Sequence, residues 1–590
     1  MNIGHPPTGK RNIATVCNTM MHWLVALAVL LIAHPATAQT ILPSDADPTA
    51  CSVSPEDFQK WFADNAIAKD GIVLPANSLT FTAPDNTALC PFFRWSEQMF
   101  LWLTSPLGSG HVFDTPQFYE VLPADPASGK RTLRAPAAPG QFRSFAPSIA
   151  LRGSQGQEVA FDSTGKVHDV VHPETGPAGK IVLLNAANQL AEVGRVLTGS
   201  GGRPVLLDRS NKAIDVKTAP NGSPLLLNES GPLRDKAGAV IDLAPATVLV
   251  EGKPTLLTTS GAVVETEEGQ AGSGGVLMAQ NKSLVYYLIE VNDVFAYFKT
   301  GAADAKINPA PTQFPTVQDT LDKITTVAQQ APPPNTKQQF PDGIALTMEI
   351  KSSWVETAGL ANPQDYVTIN TTIPTYTPSA DNKTWTPSGT KPATLALVGM
   401  HVVGSANGHP EMIWATFEHV NNTPNTQYTY KTTSGTVTKP ADGAGSWLFS
   451  ADGASANAPA QTMSVGPQNS IIGQPIGPIN VTRMNAWGSD PTGSQAADNN
   501  TAVISINNSV IDQLAAGDVR KNYIMIGSIW TNGLAPTTGN RLGTTTIANS
   551  TMETFKQPGA CFDCHDNNML GSSGGGGLSH IWGDIIPLFP

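Results

Sequence analysis

Near the end of the 590-residue chain, Cys561 and Cys564 stand three positions apart, and His565 follows directly. In a Cys-x-x-Cys-His run, the two thiols can add to the two vinyl groups of one haem while the imidazole turns under the porphyrin to bind iron. Three residues thus fix both the edge and the face of the group. Two other chemistries use paired cysteines. A thioredoxin-like redox disulfide needs a βαβ frame, and the flanks here are Pro, Gly and Asn. A structural zinc needs a second Cys or His pair at matching spacing, which the tail lacks. The motif therefore points to one covalent haem c, with Cys561 and Cys564 as attachment points and His565 as the proximal iron ligand.

The sixth iron position has several candidates. Met569, only four residues beyond His565, lies on the same side of the ring and is poorly placed to reach the opposite face. His580 is fifteen residues on, at the end of a Gly-rich tether that extends to roughly 50 Å, and is the preferred ligand. His401, His409, Met412 and His419 fall in "GMHVVGSANGHPEMIWATFEH" and are rivals from presumed strands, as ligands or as hydrogen-bond partners of a haem propionate. A metal trio of His409, Glu411 and His419 is conceivable, but strand spacing does not enforce it. Gly571-x-Ser573-x-Gly575 matches a hydrolase elbow in letters only, since no strand precedes it.

The remaining cysteines and the N-terminus speak to compartment. Residues 1–38 read as a signal peptide: Lys10 and Arg11, an apolar stretch from about Met20 to Ala33, and Ala36-Thr37-Ala38 before Gln39. The apolar run falls short of the roughly 20 residues of a bilayer span, so no stable membrane span is expected after cleavage. In an oxidising compartment, Cys51 and Cys90 are expected to close a disulfide around the first helix. Loss of residues 1–38 takes 35 basic residues to 33 against 47 acidic ones, and the net charge from −12 to −14. Such a surface excludes nucleic acid and anionic membranes as partners. The localisation implied is periplasmic or secreted.

Only 14% of residues are charged, whereas Gly (53) and Pro (48) are plentiful, which favours turn-rich β structure. The fold class expected is mainly β with a few helices: a β-sandwich-like core, an inserted β-hairpin repeat region and a C-terminal haem-bearing segment. Length leads one to expect two or more domains. Five segments follow: signal peptide 1–38, an N-terminal helical/β segment of the core 39–152, a β-repeat insertion 153–280, a central β domain 281–480 and the haem segment 481–590.

Residues 54–66 read as a helix capped by Ser54. A second helix after Asn86 gathers Phe92, Trp95, Met99 and Trp102 on one face, read as core. In the insertion, Leu184, Leu207, Leu227, Leu257 and Met278 recur at irregular spacing, as stacked hairpins would require. "SLVYYLIEVNDVFAYF" reads as one long buried strand or two. Pro315 to Gln330 reads as a helix, residues 508–516 as a short one, and "GIALTMEIKSSWV", "ATLALVGMHVV", "EMIWATFEHV" and "NYIMIGSIWT" as strands.

The stretches "CPFFRWSEQMFLWLTSP", "SLVYYLIEVNDVFAYF", "LALVGMHVVGSANGHPEMIWATFEHVNNTPN" and "NSTMETF", followed by "CFDCH" and "LSHI", resemble a group of uncharacterised exported bacterial cytochrome c family proteins. The resemblance covers much of 88–106 and 276–590. It implies a single covalent haem and one-electron transfer with a redox partner protein or small electron donor or acceptor, and carries a role only to Cys561, Cys564 and His565. Two alternatives stay open, leaving enzyme status undecided. One is a peroxidase- or oxygenase-like haem enzyme with an open distal site; the other is a β-rich binding or surface module carrying a haem.

Overall fold

A computed structural model describes residues 1–2, 4 and 42–590 except 123–129, 136–158, 162–165, 174–180, 188, 209–211, 216–226, 229–230, 236–237, 251–252, 265–276, 379, 381–384, 444, 452–476, 492, 555–560, 566–568 and 572–576. The signal-peptide reading and Gly571-x-Ser573-x-Gly575 therefore lie essentially outside the described residues. Residues 42–590 form one compact unit.

The chain is mainly β, with 32% strand against 20% helix, and one sheet dominates. Its strands are β1 Phe118–Val121, β2 Leu133–Arg134, β3 Tyr286–Asn292, β4 Met348–Glu356, β5 Thr368–Pro378, β6 Trp385–Ala406, β7 His409–His419, β8 Tyr523–Trp530 and β9 Leu542–Gly543. Their order is β9-β8-β7-β6-β4-β3-β1-β2, with β5 paired to the first half of β6. All these pairings are antiparallel. The sheet thus draws on three stretches that are far apart in sequence. The hairpin between β6 and β7 turns on Asn407-Gly408, with Gly408 at φ +81° and Ala406 opposite His409. Of the pair only Gly408 takes the left-handed conformation, which glycine adopts without steric cost.

Every described strand longer than eight residues lies in this sheet, and the layers against it are mostly helix. One face carries α2 (Leu89–Leu103) and α5 (Ala496–Gln513). Phe92 stacks on Trp530 at 3.9 Å, and Phe92, Trp95, Met99 and Trp102 are all buried, so the aromatic stripe is core, as its spacing predicts. Helix α1 (Pro55–Lys60) is capped by Ser54, whose hydroxyl accepts from the Asp57 amide at 3.1 Å, and ends earlier than expected. The disulfide Cys51–Cys90 encloses α1 and ties it to the start of α2.

The opposite face carries α3 (Asp293–Ala302), α4 (Gln318–Gln330) and the C-terminal segment, joined in one apolar cluster that includes Phe295, Phe298, Phe314, Trp414, Phe562, Leu578, Ile581 and Trp582. The run read as one long buried strand or two is instead a strand and a helix: it switches at Asn292, whose side chain accepts from the Phe295 amide and starts α3. Its apolar composition hid the switch because both halves are buried.

The insertion builds small sheets around a separate core of Ile181, Leu183, Val196, Leu206, Leu243, Leu256 and Val264. Leu183, Leu206 and Leu256 fill it, one residue before the expected Leu184, Leu207 and Leu257. Strand alternation lets only one leucine of a pair point fully inward. Leu207 is nonetheless buried, as is Met278.

Candidate functional site

The sheet fixes the site through residues 549–554, which immediately precede the cysteine turn. Glu418 of β7 accepts from the Ser550 amide at 2.7 Å and from its hydroxyl, and pairs with Arg483 at 2.6 Å; all three are fully buried. The Asn549 side-chain amide donates to the Thr416 hydroxyl and the Phe417 carbonyl, both at 3.0 Å. Thr551 bonds Ser353 at 2.6 Å, and its carbonyl accepts from the Tyr287 hydroxyl at 2.7 Å. Buried polar groups paired this completely specify one register.

Glu553, in the same stretch, reaches His401 Nε2 at 2.9 Å with one oxygen and accepts from the Asn549 amide at 2.9 Å with the other. Burial pushes its carboxyl up, but His401, Lys351 and the Asn549 amide outweigh burial and hold it below the usual range. Lys351 lies directly across from His401 in the sheet. Burial draws its ammonium down, against the pull of Glu553.

Beyond this anchor, Cys561–Cys564 form a single helical turn, α6, and the His565 amide donates to the Cys561 carbonyl at 2.9 Å. Cys561 is partly buried and Phe562 fully so. Arg541, at the start of the β9 region, holds the turn from outside: Nη1 donates to Asp563 Oδ1 and Nη2 to the Phe562 carbonyl, both at 2.7 Å.

The His565 ring packs against Trp414 at 4.4 Å and stacks on His580 at 3.9 Å, with the two imidazole planes 14° apart. Its Nδ1 lies 2.6 Å from the Leu578 carbonyl. A carbonyl only accepts, so Nδ1 carries the proton and Nε2 carries the lone pair. Burial holds the imidazole well below its usual pKa, helped by His580, His401 and Lys351 and opposed by the Leu578 carbonyl. The ring is therefore neutral at pH 7, with a donor atom available at Nε2. That tautomer, braced at the other nitrogen, is the form in which a histidine binds a metal.

The other candidate ligands separate by position. His401 is two residues from Val403, which faces Trp414, so His401 is a diagonal neighbour of Trp414 at roughly 7–8 Å. Met412 lies buried in the same cluster as Trp414 with a left-handed backbone at φ +64°, and Met569 packs against that cluster. His409 and His419 serve elsewhere. His409 bonds Glu411 at 2.9 Å and meets the Phe92 ring edge-on at 4.9 Å. His419 stacks on Tyr366 at 3.8 Å, with Nε2 bonded to the Asp365 carbonyl and Nδ1 accepting from the Asn421 amide. Standing at opposite ends of β7, they are about 30 Å apart and form no trio with Glu411. Among the described residues, no group of three His, Cys, Asp or Glu is placed to hold a metal ion.

The residues present fit a haem in two ways: the cysteine turn is fixed, and the imidazole has the ligating tautomer. Sequence reasoning missed Arg541, Glu553, Lys351 and Trp414. Only "NSTMETF" carried a signal, since a polar run before the motif suggests backbone anchoring. No protein-family model, curated protein or solved structure matches the chain.

Proposed function

We propose that this protein carries one haem, bound covalently at Cys561 and Cys564 with His565 as an axial ligand, and that it transfers single electrons. Cys561 and Cys564 would hold the group through two thioether bonds, each the redox-neutral product of adding S–H across a vinyl group. The haem supplies the one-electron chemistry. The chain orients His565 through Leu578, fixes the cysteine turn through Arg541 and excludes water with Trp414, Phe562 and Trp582. The hydrogen bond from His565 Nδ1 to Leu578 carries this reading, because it leaves Nε2 for iron. Export to the periplasm or beyond, and a redox partner protein or small electron donor or acceptor, belong to the same proposal.

The stack of His565 on His580 favours a second reading. If His565 and His580 were both to bind one metal ion through bonds of about 2 Å, the ion would have to stand between the two rings. At 3.9 Å the two rings touch directly, so shared ligation requires His580 to leave the stack. If His580 stays and none of His401, Met412 or Met569 takes its place, the iron would be left free to bind peroxide or oxygen.

Expression with a haem-attachment system should give a mass one haem above the polypeptide, lost in the Cys561→Ala/Cys564→Ala double variant. Bare polypeptide from wild type would refute the reading. Carbon monoxide then separates the two forms: slow or absent binding marks a closed carrier, with His580→Ala turning a low-spin spectrum high-spin. Rapid binding marks the open form.

A further inference from the structure

Strand β7 departs from regular geometry just before it reaches Trp414. Among the described residues, Met412 is the one non-glycine residue inside a strand with a left-handed backbone, at φ +64°. A side chain keeps such a conformation only where its surroundings impose it. Gly404 pairs with Ile413 and Ala406 with His409, so one residue of β6 faces three of β7, and the β7–β8 ladder stops at Trp414–Ile529. A bulge of this kind bends its strand and re-aims the side chains beside it.

Glu411 holds the bulge. Its side chain is fully buried, and Oε1 accepts from the amides of Thr531 at 3.0 Å and Gly533 at 3.4 Å and meets His409 Nδ1 at 2.9 Å. Those two amides lie past the end of the ladder, so the carboxylate replaces the strand carbonyls they would otherwise meet. The Glu411 carbonyl accepts from Trp414 Nε1 at 3.0 Å. The indole held in this way packs on His565 at 4.4 Å and meets Phe562 edge-on at 5.9 Å. Oε2 is buried with no hydrogen-bond partner among the described residues, so one oxygen carries the arrangement.

We propose that Glu411 is a positioning residue for the axial histidine: it locks the β7 bulge, the bulge fixes the Trp414 ring, and that ring sets the plane of the His565 imidazole and keeps water from it. This rests on the haem reading above. Because Oε1 alone is used, an amide can stand in for the carboxylate. Glu411→Gln keeps the acceptor, and Glu411→Ala removes it.

The test starts from the intact mass of the full-length protein made with a haem-attachment system. Absence of haem in wild type defeats the haem reading, while the setting of His565 is still read on the haem-free chain, so the two failures are distinguishable. In haem-free protein, the His565 Nδ1–H magnetic resonance signal, assigned with His565→Gln, should exchange with water about tenfold faster in Glu411→Ala, the change that losing one net hydrogen bond produces. Glu411→Gln should keep the wild-type rate. In the holoprotein, the electron paramagnetic resonance g-values and the midpoint potential should move in Glu411→Ala, the potential downward as water reaches the site, and hold in Glu411→Gln. Phe100→Leu, in the layer on the sheet's other face, controls for general loosening: it should lower the denaturation midpoint and leave both readings in place. Should Glu411→Ala not fold, Trp414→Phe decides, because it keeps a ring and loses the N–H that the Glu411 carbonyl accepts; it should reproduce the faster exchange. Unchanged exchange and g-values in Glu411→Ala, or in Trp414→Phe where it stands in, overturn the proposal, as do equal effects of the two Glu411 substitutions or an equal effect of Phe100→Leu.

Discussion

His419, at the end of β7, and His565, after the cysteine turn, share a setting and differ in what it leaves over. Each stacks on a ring within 4 Å, at 3.8 Å and 3.9 Å, and burial is the first cause of a depressed pKa in both. His419 has both nitrogens engaged by the backbone. His565 has one engaged. Burial and a lowered pKa are therefore common to both; what sets His565 apart is that, among the described residues, only Nδ1 has a hydrogen-bond partner. The same contrast separates residues 549–554, whose polar groups are bonded to the sheet, from the turn at 561–565.

The contrast can be broken from the anchor side first. Glu418→Gln strands the buried Arg483 charge and should cost about 3–5 kcal/mol, read as a lowered denaturation midpoint; a cost within error of zero would remove the anchor. Next comes pH. His419 titrates at about 3 in the folded chain against 6.5 as its ordinary value. The unfolded chain binds its proton first, so this stability is complete above 6.5 and is lost as pH falls toward 3. His419→Gln should flatten that loss by up to about 1.4 kcal/mol per pH unit, and an unchanged slope would show that His419 is not held neutral. The smallest effect belongs to the turn: in haem-free protein, His565→Ala should cost about 1 kcal/mol, the worth of one hydrogen bond. A cost as large as that of Glu418→Gln would make the two regions equivalent.

Local chemistry was legible in the sequence. The cysteine turn, the Ser54 cap, the Phe92–Trp102 stripe and the strands around His401 and Trp414 follow from spacing and residue type. Helix α5 was foreseen only over its last part, because Asn500, Thr501, Ser505 and Asn507 look exposed in sequence yet are buried. They bond Thr429, Lys431, Asp47 and Met525, partners that no local window contains. Glu418–Arg483, His401–Glu553 and Arg541–Asp563 were invisible for the same reason: each joins residues on different elements. Which histidine keeps a free lone pair depends on such partners, so the motif could be read early and its surroundings could not.

The route of the chain between β2 and β3 has one more consequence. It departs at Arg134 from the sheet's rim and re-enters at Tyr286, with β1 lying between the two strands. Much of the excursion gathers around the separate core of Leu183 and Leu256. Closing a chain loop grows dearer only logarithmically, by about 0.6 kcal/mol per doubling. Evolution can lengthen, shorten or exchange this appendage while the scaffold under the cysteine turn keeps its geometry.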